Sequence, residues 1–369
     1  MVVDDEDGLA HGCIVAETGG GDGTGSHTLG TRRPEHPPRA QRGLPGRHPY
    51  TRRVSELPRG PLGSSGIEVS ALALGSWRTY ERIPREQGLA VMRAAREHGI
   101  DFFDDARYDD ETGTAPIRTG YSEVVFGELF RATGWKRDEV VVSNKLWWEF
   151  WPEQTAAEEL DASLERMGFD HLDLVYSCPA RTAPPVEEIV GAVGELIAAG
   201  KVRAWGINNW EPERLVAAAE IARREGVPPP CAAQLPYSVI AREDVEGEAA
   251  VEALEVSGAA VVASFVLSGG ILTGKYDGGA ASGRMSAEID ESRWESARQA
   301  GEALRALAVE LEATPAALAV AFAATGPRVA SVLFGATTRE QVVENAGAIE
   351  LLDRLTPADL DALRSIGLS

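Results

Sequence analysis

Three residues able to hold or move a proton sit at the ends of short apolar runs. Asp104 closes FFD (102–104), Tyr108 follows four residues later, and Lys145 closes VVVSNK (140–145). A charge at the exit of a buried strand is costly to desolvate unless it is paired or used. A carboxylate and an ammonium on neighbouring strands offset each other's desolvation. The ammonium would also lower the pKa of a nearby phenol, and a tyrosine tuned in this way is a general acid. The same spacing also fits a structural ion pair beside an ordinary tyrosine, because such pairs perturb pKa values without catalysis. A second tyrosine, Tyr121, follows the segment DDETGTAPIRTG (109–120). Tyr108 is the preferred donor because it stays on the strand-end loop next to Asp104, within reach of a shared proton.

These residues need strands that end at one face. From about residue 68, short β-branched runs alternate with amphipathic stretches: VSALALG, IDFFD, EVVVSN, HLDLVYS, VRAWGI, CAAQLPY, AAVVASFV and VASVLFGA each precede a helical pattern. Gly99, Gly168, Gly200, Gly226 and Gly258 stand where helices must stop. Repeated βα units imply a parallel sheet with right-handed crossovers. Eight of them predict a closed (β/α)₈ barrel of TIM type, with chemistry at the C-terminal strand ends. No GxGxxG follows the first strand, which argues against a Rossmann half.

Composition excludes other classes. The net charge of −21 argues against nucleic-acid binding. No apolar run is long enough to span a bilayer, and the N-terminus lacks a secretory pattern. Three cysteines (Cys13, Cys178, Cys231) form no disulfide framework and suggest a reducing, cytoplasmic setting. Residues 1–53 are rich in Gly, Pro and Arg and are expected to be a disordered tail before a barrel at 54–369. Four of the six histidines lie in that tail, at irregular spacing, so no metal site is expected. Trp147 and Trp148, with Tyr176 and Trp210, are candidates for an aromatic substrate pocket, and so a small, bulky and apolar or aromatic substrate. The same rings would serve equally as a hydrophobic seal. Oligomeric state is not legible.

Several segments together resemble the aldo-keto reductase family, in the branch of the potassium-channel β-subunit-like enzymes. They are GIDFFDDARY, SEVVFGELF, SLERMGFDHLDLVYS, VRAWGINNWEPERL, PPPCAAQLPYSVIARE, GGILTGKY and FGATTREQVVENAGAIELL, in family order from about Leu57 to the end. The resemblance implies a TIM-type barrel binding NADP(H) without a Rossmann domain. It implies that Asp104 and Lys145 tune a catalytic tyrosine that protonates a carbonyl oxygen as hydride arrives. It departs at Cys178, which stands where the family has a histidine; a thiol is a weaker donor than an imidazole. By resemblance Asn209 and Gln234 hold the nicotinamide carboxamide, where the family often has Ser in place of Asn208. Leu267, Gly269 and Lys275 lie near the pyrophosphate, followed by a loop, DGGAASGRMSAE, suited to closing over it. Gly335, Thr337 and Arg339 belong to the phosphate end, and Gln341 and Asn345 to the adenine. Arg339 is equally readable as an exposed first-turn arginine. Ser264 stands where a ring usually stacks on the nicotinamide, and Phe265 would point to the opposite side of a regular strand. An alternative role is an NADP(H)-binding, redox-sensing or partner-binding barrel with little turnover.

Overall fold

A computed structural model of the chain describes residues 57–180, 183–276 and 292–367. The expected tail (1–53) and the expected closing loop (277–288) lie outside these residues. The chain begins with two short strands, β1 (Arg59–Pro61) and β2 (Glu68–Ser70). Eight strands then form a closed, all-parallel barrel in the order β10-β3-β4-β5-β6-β7-β8-β9. They are β3 (Leu72–Gly75), β4 (Phe102–Asp104), β5 (Val141–Leu146), β6 (Leu172–Ser177), β7 (Val202–Asn208), β8 (Ala232–Pro236), β9 (Ala260–Ser264) and β10 (Val329–Gly335). Between and after them run α1 (Arg85–Glu97), α2 (Tyr121–Thr133), α3 (Ala156–Met167), α4 (Val186–Ala198), α5 (Pro212–Glu225), α6 (Glu243–Glu246) and α7 (Glu248–Ser257). The last four helices are α8 (Glu295–Glu310), α9 (Pro315–Ala324), α10 (Arg339–Leu352) and α11 (Pro357–Ser365). This is the expected (β/α)₈ architecture.

Strand alternation separates two apolar layers. Ala73, Phe102, Val141, Leu174, Tyr176, Ala232 and Val262 fill the barrel interior. Their strand neighbours Leu74, Phe103, Val142, Val175, Ala233 and Val261 pack in the larger outer core with the helices. All five expected glycines take positive φ at helix ends, a backbone state in which any side chain would be strained.

The run VSALALG does not form one strand. Its first part, β2, pairs antiparallel with β1, and the barrel strand starts only at Leu72. Asp101 explains the break: its Oδ1 accepts from the Ser70 backbone N–H at 3.1 Å, and its Oδ2 accepts from Arg59. Leu62, Ile67 and Val69 join the interior cluster, so the hairpin plugs the N-terminal end of the barrel. The C-terminal end is left for chemistry. No single described helix is long and apolar enough to cross a membrane.

Candidate active site

Parallel pairing sets Asp104 beside Ser143 and Lys145 beside Tyr176. Lys145 Nζ donates to Asp104 Oδ2 at 2.6 Å, and Ser143 Oγ donates to Asp104 Oδ1 at 2.6 Å. The Lys145 and Asp104 side chains are only 5% and 3% exposed, so the charges have exchanged water for each other. Lys145 Nζ also lies 3.5 Å from Tyr108 Oη. Burial would lower the ammonium's pKa, but Asp104 more than offsets it, so Lys145 stays charged.

The inserted segment does not displace Tyr108, because it is closed at its neck. Gly120 N–H donates to Tyr108 C=O at 2.9 Å, and Asp109 bridges Thr119. Ser122 Oγ donates to the Ala106 carbonyl at 2.6 Å, tying the loop to the first turn of α2. Tyr121 begins α2, and its hydroxyl accepts from Arg85 at 3.0 Å. The structure therefore brings Tyr108, and not Tyr121, to Lys145.

The direction of the Tyr108 pKa differs from expectation. Burial pushes the phenol above its ordinary range. Lys145 pulls it down as expected, while Asp104 and Asp105 push it up, and the net shift is upward. The phenol thus holds its proton throughout the physiological range, the state a proton donor needs before reaction.

Cys178 follows β6, its N–H continuing the ladder to the Leu146 carbonyl at 2.9 Å. Its Sγ, fully buried, donates to Asn208 Oδ1 at 3.6 Å. Asn208 Nδ2 in turn donates to Gln234 Oε1 at 2.8 Å. Asn208 thus meets the Gln234 side chain, while Asn209, one residue beyond and in positive φ, donates its backbone N–H to the Gln234 carbonyl at 3.1 Å. Gln234 Nε2 is buried and has no partner among the described residues. A buried donor without an acceptor costs about 1–3 kcal/mol, and a ligand carbonyl such as a carboxamide oxygen would satisfy it.

The aromatic residues separate. Trp147 stands edge-to-face against Tyr108, with ring centroids 6.2 Å apart. Trp148 does not join it: it belongs to the outer core and donates from Nε1 to Ser177 Oγ at 2.8 Å. Its φ of 60° turns the chain at this point. Trp210 is also in the outer core, beneath the Arg214 guanidinium at 4.1 Å. Tyr176 fills the barrel interior. Of the four expected pocket residues, Trp147 is the one whose ring stands against Tyr108, while the Tyr176 ring lies 6.0 Å from Lys145 Nζ. Phe265 departs in the other direction. The strand stops at Ser264, and Phe265 takes φ 54°, which carries its ring to Trp77 at 6.4 Å and Trp294 at 6.1 Å.

Leu267, Gly269 and Lys275 lie on or beside the turn Ser268–Thr273, where Gly269 and Gly270 both have positive φ. Lys275 Nζ sits 5.0 Å from the Tyr276 ring centroid. Gly335 ends β10 and pairs with Gly75. Gln341 Oε1 accepts from the Thr337 backbone at 2.7 Å and from Thr338, closing a capping box at the start of α10. Arg339 pairs with Glu97 at 2.7 Å, both half-exposed, and Asn345 is buried.

A family profile described as "Aldo/keto reductase family" matches residues 71–367. The chain belongs to the aldo/keto reductase family. It is 31% identical over 320 residues to a "Probable voltage-gated potassium channel subunit beta" of Oryza sativa subsp. japonica, covering 83% of this chain and 95% of that protein. The Arabidopsis thaliana protein of the same description is 30% identical over the same spans. A "Putative voltage-gated potassium channel subunit beta" of Schizosaccharomyces pombe is 31% identical over 328 residues, covering 83% and 92%. This aldo/keto reductase is thus an oxidoreductase of a family that generally uses NADP(H).

Two groups around the candidate site escaped sequence reasoning. Asp105 is fully buried beside Asp104; Ser76 Oγ donates to its Oδ1, and its Oδ2 has no partner among the described residues. Burial and the neighbouring Glu123 carboxylate hold its pKa well above the usual carboxylate range. Glu159, on α3, accepts from the backbone N–H groups of Trp147 at 2.8 Å and Trp148 at 3.2 Å. The doubled acid in FFDD was the available signal for Asp105. Glu159 looks like any surface glutamate in a helical repeat.

Proposed function

We propose that this reductase uses NADPH to reduce a carbonyl (aldehyde, ketone or conjugated carbonyl) on a bulky apolar or aromatic small molecule. The observation that carries the reading is the buried Lys145 ammonium, 2.6 Å from Asp104 and 3.5 Å from Tyr108 Oη. Tyr108 is the proton donor in this reading. Its proton passes to the substrate oxygen, and the phenolate left behind faces Lys145, which stabilises it. Asp104 keeps Lys145 charged. The chain's own groups fit the cofactor: the unpartnered Gln234 Nε2, with Asn208 and Asn209 beside it, suits the nicotinamide carboxamide. Thr337 and Arg339 would meet the 2′-phosphate, with Arg339 exchanging Glu97 for phosphate. Gln341 and Asn345 would meet the adenine, and Leu267, Gly269, Lys275 and Gly335 the pyrophosphate side. Bound there, the reduced nicotinamide supplies hydride.

A second reading draws on Cys178 and on the relatives' description as channel subunits: an NADP(H)-holding barrel that binds a partner with little turnover. NADPH consumption with aromatic aldehydes and enones, on native protein beside Tyr108→Phe and Cys178→His, separates the two. Turnover that collapses in Tyr108→Phe supports the reductase. NADPH binding with no turnover in any variant supports the binding barrel.

A further inference from the structure

A carbonyl oxygen that gains negative charge has two lone pairs to satisfy. Tyr108 supplies one donor. The Cys178 thiol is already directed to Asn208 Oδ1 at 3.6 Å. One strong donor next to Tyr108 is uncommitted: Trp147 Nε1 is buried with no acceptor among the described residues. The indole is held in place. Its ring stands edge-to-face against the Tyr108 ring at 6.2 Å, and its backbone N–H is gripped by Glu159 Oε1 at 2.8 Å. The next N–H is gripped by the same carboxylate at the positive-φ turn of Trp148. Trp148, by contrast, has spent its indole N–H on Ser177.

We propose that Trp147 Nε1–H is the second hydrogen-bond donor to the substrate's carbonyl oxygen, beside the Tyr108 hydroxyl. Trp147 gives up no proton. As hydride adds to the carbonyl carbon, the C=O π pair moves to oxygen, which takes its proton from Tyr108 while the indole N–H stabilises the charge. The inference rests on the Tyr108-dependent carbonyl reduction proposed above. Removing one donor aimed at developing charge typically lowers kcat by about 100-fold or more.

The test uses 4-nitrobenzaldehyde and NADPH with native protein, Trp147→Phe and Tyr108→Phe. Trp147→Phe keeps a ring against Tyr108 and deletes only the donor edge. The expected result is a fall in kcat of about 100-fold, with NADPH affinity, read by fluorescence titration, unchanged within about two-fold. A second readout uses native protein with ¹⁵N-labelled indoles. Among its eight tryptophans, the Trp147 resonance is assigned by its loss in Trp147→Phe. It should move downfield when 4-nitrobenzaldehyde is added to the NADP⁺ complex. Native kcat in Trp147→Phe, or an unmoved resonance in a protein whose turnover needs Tyr108, overturns the assignment and leaves the reductase reading standing. Should Trp147→Phe not fold, the indole that shifts is assigned from Trp147→Tyr instead, and its shift decides. Aldehyde reduction that is equally fast in Tyr108→Phe overturns both readings at once.

Discussion

Replacing Asp105 by asparagine is expected to stabilise the barrel progressively as pH rises. Asp105 is completely buried; it accepts from Ser76 on one oxygen, and the other has no partner among the described residues. Around it lie Glu123 on α2, itself buried and paired with Arg166, and the adjacent Asp104, paired with Lys145. Burial and these carboxylates raise its folded pKa well above the ordinary 3.8. Below pH 3.8 both the folded and the unfolded chain hold the proton. Above it the unfolded chain releases the proton and the folded chain keeps it, so the unfolded state binds fewer protons and stability falls with pH. The fall ends once the folded carboxyl also ionises. Within that window one retained proton changes stability by about 1.4 kcal/mol per pH unit. The asparagine side chain would keep the shape and the Ser76 contact but has no proton to release. Its amide nitrogen takes the place of the unpartnered oxygen, so any constant cost is the same at every pH, and the difference in slope is the readout. Urea unfolding of both proteins from pH 5 to 8 measures it. Each kcal/mol corresponds to a melting shift of about 2–4 °C in domains of 150–250 residues. Parallel curves across that range would refute the reasoning, because they would mean that Asp105 is ionised in the folded protein.

Tyr108→Phe should lower turnover by about 10²–10⁴, the usual contribution of a general acid, with NADPH affinity intact; Tyr121→Phe should leave turnover unchanged, since that hydroxyl faces Arg85. Lys145→Met leaves Asp104 buried without its cation and should cost about 3–5 kcal/mol in urea unfolding; adding Asp104→Leu should recover most of it. Gln234→Ala removes the unpartnered Nε2 and should weaken NADPH binding by about 1–2 kcal/mol, read by fluorescence titration. Burial pushes the Cys231 thiol up to about 12, so it should resist a disulfide-exchange reagent at pH 8 until the protein unfolds.

The barrel was legible because its signals are local and periodic. Apolar strand runs and helical stripes alternate eight times, the five expected glycines stand at helix ends, and each signal needs only its own neighbours to be recognised. Asp104 and Lys145 were legible for a related reason: a charge at the end of an apolar strand demands a partner, and parallel pairing sets both ends on one face. What the sequence did not decide depends on where single side chains turn. Tyr108 rather than Tyr121 reaches Lys145 because the insertion is pinched at its neck by hydrogen bonds between residues far apart within the loop. Trp148 and Phe265 go where positive φ sends them, and no alternation rule reports a left-handed residue at a strand exit. Asp105 becomes a buried acid only because Ser76 and α2 close over it, and Trp147 is set against Tyr108 while Glu159 reaches back from α3. Composition, period and spacing determined the scaffold and its ion pair. Backbone handedness at the strand ends, and contacts made across the barrel mouth, decided which groups surround that pair.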